Sequence, residues 1–382
     1  MINYFLVGSS INNLLWSVIT YGSFISFLVA LLLMRFSPKD IGFVLSFSIA
    51  ITLGEILIGY TQMVLFSSSF NPFSITSAAG DYFTGTFMRF GFAHVAAIKI
   101  SLVLIYVFVL WIDNKSLKRT SILVLIIVGW LLPSALYSII LLLVSIFLYF
   151  TLYELIPRLK KLRFKTSVLF AGALVTLGIF MFSAIQIKNV KYISRSINTV
   201  INTLVKGDDS NDSSQKIHFF KTSIVDVPQK YPQSVVIGVG PGNYSSRSAW
   251  IVSGLYLDHQ PFYIPVTPSG VALEYSLPYY EDIVNKVRWG AGSIIHQPFS
   301  SWISIYVELG IIGIVLFIWL FRLISRRQII PAQQLTSLSK GNTIALIYLI
   351  LLMVVDNILE YPHIINQFLI LVVMTNNVTK SR

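Results

Sequence analysis

Apolar residues run along this chain in long unbroken blocks and do not alternate with polar ones. A bilayer core needs about 20 apolar residues per helix. On that basis the blocks predict membrane-crossing helices at about 11–34, 41–66, 90–112, 121–132, 134–156, 167–187, 299–321, 342–356 and 362–376. The stretch from Ser121 to Ile156 is too long for one crossing. Proline lacks an N–H and disfavours helix in the residue before it, so Pro133-Ser134 predicts a hairpin whose short first arm is re-entrant or buried in protein. Glu360-Tyr361-Pro362-His363 predicts a similar break within 342–376. Between residues 188 and 298 the blocks stop and a polar insert takes their place. Lys206–Gln215 (KGDDSNDSSQ) has loop composition, and Ser253–Arg288 predicts an irregular lobe rich in Pro, Tyr and Gly. His218–Lys230 predicts a helix lying on the membrane through Phe219, Phe220, Ile224 and Val227. No internal repeat, low-complexity tract or heptad array is visible.

Composition agrees with this pattern. Mean hydropathy is +0.75 and charged residues make up 12%, against about 25% in soluble domains. The expected fold is therefore an all-α polytopic membrane protein with about nine or ten transmembrane helices and one large external loop domain. Residues 1–187 are expected to form an N-terminal bundle, 188–298 the external loop that holds the candidate site motifs, and 299–382 the C-terminal helices.

The formal charge of +12 suggests nucleic acid only until its location is considered. Sixteen of the 28 Lys and Arg lie in short links: Arg35, Lys39, Lys115, Lys118, Arg119, Arg158, Lys160, Lys161, Arg163, Lys165, Arg322, Arg326, Arg327, Lys340, Lys380 and Arg382. Such clustering marks cytoplasmic loops, so no nucleic-acid partner is expected. The insert holds ten basic and eight acidic residues, a balance that suits translocation to the outer face, the periplasm in a Gram-negative cell. The span count then puts the N-terminus outside. That fits either a missing N-terminal helix or a first helix reaching back into Met1–Ser10. With no cysteine, disulfides, thiolate catalysis and Cys-ligated metals are excluded. The histidines at 94, 218, 259, 296 and 363 lack metal-ligand spacing, so no metal is expected.

Candidate chemistry concentrates around the insert. Gly238-Val-Gly240-Pro-Gly242-Asn243-Tyr-Ser-Ser-Arg247 follows a strand-like run, Val235–Ile237. Its glycines either let the backbone approach a ligand closely or simply shape a loop. Their spacing is not that of a dinucleotide fingerprint. Arg247 is a candidate bidentate anion clamp, or a solvated loop arginine; Lys221 and Arg288 raise the same question. Arg89 is placed to grip an anion or to snorkel at the membrane surface. His94 and Lys99 fall within a span, where ionisable groups face a bundle interior or a wet cavity. His296, before Gln297-Pro298 and the next span, is a candidate general base or an interfacial histidine. Glu308 lies inside that span, and an ion pair with Lys99 or an arginine is the favoured reading. Gly310 and Gly313 predict close helix packing. Glu55, Asp356 and Glu360 are weaker cases of buried acids.

Three segments, in this order and in this layout, resemble the O-antigen polymerase/ligase superfamily of bacterial membrane glycosyltransferases. They are GTFMRFGFAHVAAI (85–98), GVGPGNY (238–244), and His296-Gln-Pro followed by WISIYVELGIIGIVLF (302–317). The resemblance runs from about Gly80 to the end. The sequence departs from the family in Gln297, where Asn is commoner, in Pro133-Ser134-Ala135, where the family has Ser-Arg, and in Lys221, where an arginine is common.

The resemblance implies metal-independent, cofactor-free, inverting transfer of a glycan from an undecaprenyl-pyrophosphate carrier, at the outer face of the bacterial inner membrane. Its catalytic residues would be His296 and Arg247. Arg89, Lys221, Arg288, Gly240, Gly242, Asn243 and His94 would contact pyrophosphate or glycan, and Glu308 and Lys99 would be structural. The tyrosines and tryptophans of 250–289 would stack on sugars or anchor in the interface. Partners would be the lipid-linked glycan, an acceptor glycan lipid, membrane lipids, a chain-length regulator and a flippase. The expected activity is polymerisation of repeat units into O-antigen or exopolysaccharide. The alternative is ligation of a finished glycan to lipid A–core or protein. A polysaccharide transporter is the reading from another class; it would use His94, Lys99 and Glu308.

Overall fold

The computed structural model describes residues 11–66, 82–87, 93–133, 135–155, 215–252, 268–279, 299–325 and 333–376. Within them the chain is helical, with no β-strand. The helices are α1 (Ile11–Leu33), α2 (Pro38–Phe66), α3 (Ala93–Asp113), α4 (Leu117–Leu131), α5 (Leu136–Tyr149), α6 (Gln215–Lys221), the single turns α7 (Val227–Lys230) and α8 (Ser234–Ile237), α9 (Arg247–Val252), α10 (Ser301–Ser325), α11 (Gln333–Val355) and α12 (Pro362–Asn376). Five are long and apolar enough to cross a membrane: α1, α2, α3, α10 and the Ser337–Val355 part of α11. Shorter apolar helices run over Tyr137–Tyr153 and Pro362–Thr375. The protein is thus compatible with a multi-pass membrane protein. The expected span at 167–187 lies outside the described residues, as do 188–214 and 280–298.

Helix ends follow local chemistry. Pro38 opens α2 directly after Ser37. The Asp40 carboxylate accepts the Ser37 N–H and hydroxyl at 2.7 and 2.8 Å, and Ser37 Oγ accepts the Asp40 N–H, which closes a capping box. α4 begins after Ser116, whose side chain accepts the Arg119 N–H. α4 stops before Pro133, and α5 begins beyond it.

The chain divides into two compact units. One contains residues 31–192, 324–351 and 367–382. Its core is carried by α3, whose residues from Ala93 to Val109 are nearly all buried. Polar side chains tie its helices together. Trp130 Nε1 donates to Ser101 Oγ at 2.7 Å, and Ser138 Oγ pairs with Tyr348 OH at 2.6 Å. Tyr106 OH and Thr375 Oγ1 both donate to Asn342 Oδ1. In an apolar medium such bonds join helices where hydrophobic burial cannot.

The other unit contains residues 1–30, 193–323 and 352–366. Phe219, Val227, Val239, Tyr244, Val271, Ile303 and Val307 form its core, so the described part of the insert packs on the first half of α10. The 215–230 segment is helical, with a π-helical stretch at Thr222–Asp226. Its Phe219 and Val227 serve this core, while Ile224 is exposed. Val235–Ile237, expected to be strand-like, is instead a helical turn: among the described residues no strand pairs with it, and it closes on its own backbone through Gly238 N–H to Ser234 O. Residues 270–279, within the expected irregular lobe, are helical.

α10 is not one continuous helix. Gly310 has φ 68° and ψ −166°, a conformation only glycine adopts readily. The sequence suggests close helix packing here; the structure shows a break. The break frees the carbonyls of Val307 and Glu308, which accept the N–H groups of Val239 and Gly240 at 2.7 and 2.9 Å.

Candidate active site

The glycine turn docks onto the break in α10 by backbone contact on both sides. A Cβ on Gly310 would lie 2.2 Å from the Val236 oxygen, and one on Gly238 would lie 2.2 Å from Glu308 backbone atoms. Gly238, Gly240 and Gly242 all have positive φ. The close approach expected of these glycines is therefore made to the chain itself.

Beyond the docking point the turn wraps around Glu308. The carboxylate accepts the N–H of Gly242 at 2.6 Å, of Tyr244 and Ser245 at 3.1 Å, and of Ser246 at 2.9 Å. Glu308 is 1% exposed. The expected pairing with Lys99 or an arginine is replaced by these four backbone donors, which suit a group that only accepts.

Small polar side chains satisfy the rest of the turn. Asn13 of α1 donates to Gly242 O and to Asn243 Oδ1, and Asn243 Nδ2 donates to Val239 O. Ser269 Oγ donates to Asn243 O, and Ser276 Oγ to Tyr244 O, both at 2.6 Å. Trp250 Nε1 and Asn357 Nδ2 both donate to Ser245 O at 2.8 Å. Trp250 is buried here and holds the turn, so it does not present a sugar-stacking face.

Arg247 leaves this turn at the start of α9. Its backbone N–H donates to the Glu360 carboxylate, and Nη1 donates to the Glu360 carbonyl at 3.1 Å. The guanidinium lies 5.5 Å from the Tyr361 ring centroid, in cation–π range. Tyr21 OH donates to the Glu360 carboxylate at 3.1 Å. Burial pushes the Glu360 carboxyl up to about 8; the nearby Glu308 charge adds to this and Arg247 opposes it. Lys216, whose ammonium donates to Val355 O at 2.5 Å, is pushed down to about 7 by burial, against the pull of Asp356.

The unit built on Glu308 therefore brings together Gly240, Gly242, Asn243 and Arg247, with Lys221 exposed on α6. His94 and Lys99 belong to the other unit. There the Lys99 ammonium lies 3.0 Å from Glu55, and the same carboxylate accepts the Thr86 N–H at 2.7 Å and its hydroxyl at 2.6 Å. His94 is half-buried, its ring 6.5 Å from that of Tyr137. His296, Arg89 and Arg288 lie outside the described residues. Sequence reasoning missed Asn13, Tyr21 and Tyr361, and underrated Glu360. An asparagine at the head of an apolar span, and a glutamate just before the Tyr-Pro break, were the available signals.

The chain matches no family model, no curated protein and no solved structure.

Proposed function

We propose that this protein is a membrane glycosyltransferase that polymerises oligosaccharide repeat units carried on undecaprenyl pyrophosphate, working at the outer face of the bacterial inner membrane. The observation that supports this reading best is the setting of Arg247. A guanidinium fixed at its backbone, at Nη1 and over an aromatic ring is pre-oriented and needs little reorganisation when a charge develops nearby. The leaving group here is a lipid pyrophosphate, whose negative charge grows as the anomeric C–O bond breaks. The acceptor hydroxyl oxygen attacks the anomeric carbon and inverts it. The hydroxyl proton passes to a base, the role we give to His296. Arg89, Lys221 and Arg288 are the further cations proposed to meet the pyrophosphate.

A transporter is favoured by one observation, the broken helix α10, since discontinuous helices build transport sites. The freed carbonyls, however, already accept the glycine turn, which weighs toward the enzyme.

The test is a gel of surface and carrier-linked glycans from a deletion strain complemented with wild type, Arg247→Ala or His296→Ala. Loss of a general base lowers rates by about 10²–10⁴-fold, so both variants should fail to rebuild long chains at normal membrane levels. Stalling at single repeats identifies a polymerase. Full-length glycan stranded on the carrier identifies a ligase. Carrier-linked repeats retained on the cytoplasmic face identify a transporter. Long chains restored by both variants would overturn the role of Arg247 and His296.

A further inference from the structure

A carboxylate buried in an apolar helix usually has a cation beside it. Among the described residues, Glu308 is held chiefly by backbone N–H groups from one five-residue stretch, those of Gly242, Tyr244, Ser245 and Ser246, which ends where Arg247 begins. Successive N–H groups converging on one point form the kind of nest that phosphate-binding loops present to an anion. Here the chain supplies the anion itself. The break at Gly310 lets this happen, because it brings the backbone of Val236 and Ile237 against α10 one residue from the point where the turn starts. The N–H groups of Val239 and Gly240 are also taken, by the carbonyls of Val307 and Glu308. The turn therefore looks in sequence like a cradle for pyrophosphate, but six of its N–H groups are engaged within the protein.

We infer that Glu308 is a positioning residue, a resident anion that fills the backbone nest of residues 242–246 and so fixes where Arg247 leaves the turn. Two consequences follow for the substrate. Its pyrophosphate is met by side-chain cations and not by the glycine-turn amides. The acid also needs to be a carboxylate rather than an amide: whichever way a glutamine is turned, its NH2 group faces at least one of the four N–H donors. The role given to Arg247 rests on the glycosyl-transfer reading; the anchoring of the turn does not.

Both parts can be tested on the purified full-length protein. Hydrogen exchange of the 239–252 amides reads the anchor without any assay of activity. Glu308→Gln should speed exchange at Gly242 or at 244–246, whichever side its NH2 group faces, by about ten- to hundredfold, as expected for losing a hydrogen bond to a charged group, while protection along α11 is unchanged. Glu274→Gln, which removes an exposed carboxylate in the same unit, should change neither. Transfer from a lipid-pyrophosphate glycan should fall about 10²-fold in kcat for Glu308→Gln, as misplacement of a catalytic group does, with a smaller change in KM. Glu308→Ala vacates the nest, and sodium formate should restore part of both protection and rate to it, but not to Glu308→Gln. If Glu308→Gln loses protection along α11 as well, Glu308→Asp, which keeps the charge but reaches fewer donors, replaces it with the same expectation.

Wild-type exchange in Glu308→Gln would overturn the anchor. Lost protection with an undiminished rate would leave the anchor standing and overturn the positioning of Arg247. A folded Glu308→Ala that formate does not rescue would overturn the requirement for an anion. A wild-type protein that transfers no lipid-linked glycan would defeat the glycosyl-transfer reading, while the exchange data still decide the anchor.

Discussion

Glu308 and Glu55 solve the same problem in different ways. Each is a buried carboxylate on an apolar helix, and each ties a short neighbouring segment to that helix, a 3-10 turn at Gly85–Phe87 for Glu55 and the glycine turn for Glu308. Glu55 does so with a cation: Lys99 at 3.0 Å joins the Thr86 N–H and hydroxyl. Glu308 does so with backbone N–H groups, four of them. Both depend on a left-handed glycine in the segment they hold. Gly85 at φ 58° brings its backbone onto the Glu55 carboxylate, and Gly238 at φ 75° brings its own onto the Glu308 backbone. An acid with a lysine depends on other side chains, here Lys99 and the Thr86 hydroxyl, which a point substitution can remove. An acid in a nest depends on the path of the main chain, which a side-chain substitution elsewhere leaves intact.

The largest expected effect breaks the first arrangement. Lys99→Met leaves Glu55 buried without its ammonium. It should lower unfolding stability by about 3 kcal/mol, at the lower end for a broken buried pair because Lys99 keeps some exposure. Glu55→Gln combined with Lys99→Met should recover most of that loss. Among the described residues no basic side chain is paired with Glu308, so Lys221→Met should leave exchange at 242–246 unchanged. Protection lost there in Lys221→Met would undo the contrast.

Next come the glycines. Gly310→Ala forces a left-handed residue, which by itself costs about 1–2 kcal/mol, and drives its Cβ into the Val236 backbone. Its total cost should exceed about 2 kcal/mol by thermal or denaturant unfolding. Gly85→Ala carries a similar conformational cost, but its Cβ meets the Glu55 side chain, which can shift more easily than backbone. It should therefore be the milder of the two. The reverse order would mean that the Glu55 pair is the more rigid anchor.

A separate contrast is a pair of opposed pH slopes. Glu360 titrates at about 8 when folded, against an ordinary value of 4.5. Between these values the folded chain holds the extra proton, so its contribution to stability falls as pH rises through that window and levels off above it. Lys216 titrates at about 7 when folded, against 10.5. Between those values the unfolded chain holds the extra proton, and stability rises with pH. Unfolding midpoints measured across pH should lose the falling slope in Glu360→Gln and the rising one in Lys216→Met. A slope that survives its own substitution would remove that group from the account.

Much of the fold could be read from the sequence because spans are a property of composition. Blocks at 11–34, 41–66 and 362–376 became Ile11–Leu33, Pro38–Phe66 and Pro362–Asn376. Pro133 and Pro362 marked helix boundaries because a missing N–H acts locally. The break at Gly310 was hidden because a glycine that packs closely and one that turns left-handed look alike in sequence. The nest around Glu308 was hidden for a deeper reason. Its donors are backbone groups, which every non-proline residue carries, so no complementary side chain signals it. Lys99 and Glu55 each looked like an intramembrane charge, but nothing local joined residues 44 positions apart. The helical turn at 234–237 misled because a short β-branched run pairs as a strand only when an edge is offered to it.

The order in which the chain is made separates the two acids once more. Synthesis runs from the N-terminus. Glu308 follows its four donors by 62 to 66 residues, so every group it needs has already emerged when the acid leaves the ribosome. Glu55 precedes Thr86 by 31 residues and Lys99 by 44. It must be delivered toward the bilayer ahead of its partners and wait for them. A nascent chain arrested just after α10 already contains the complete Glu308 nest, whereas one arrested after α2 carries an acid still without its lysine.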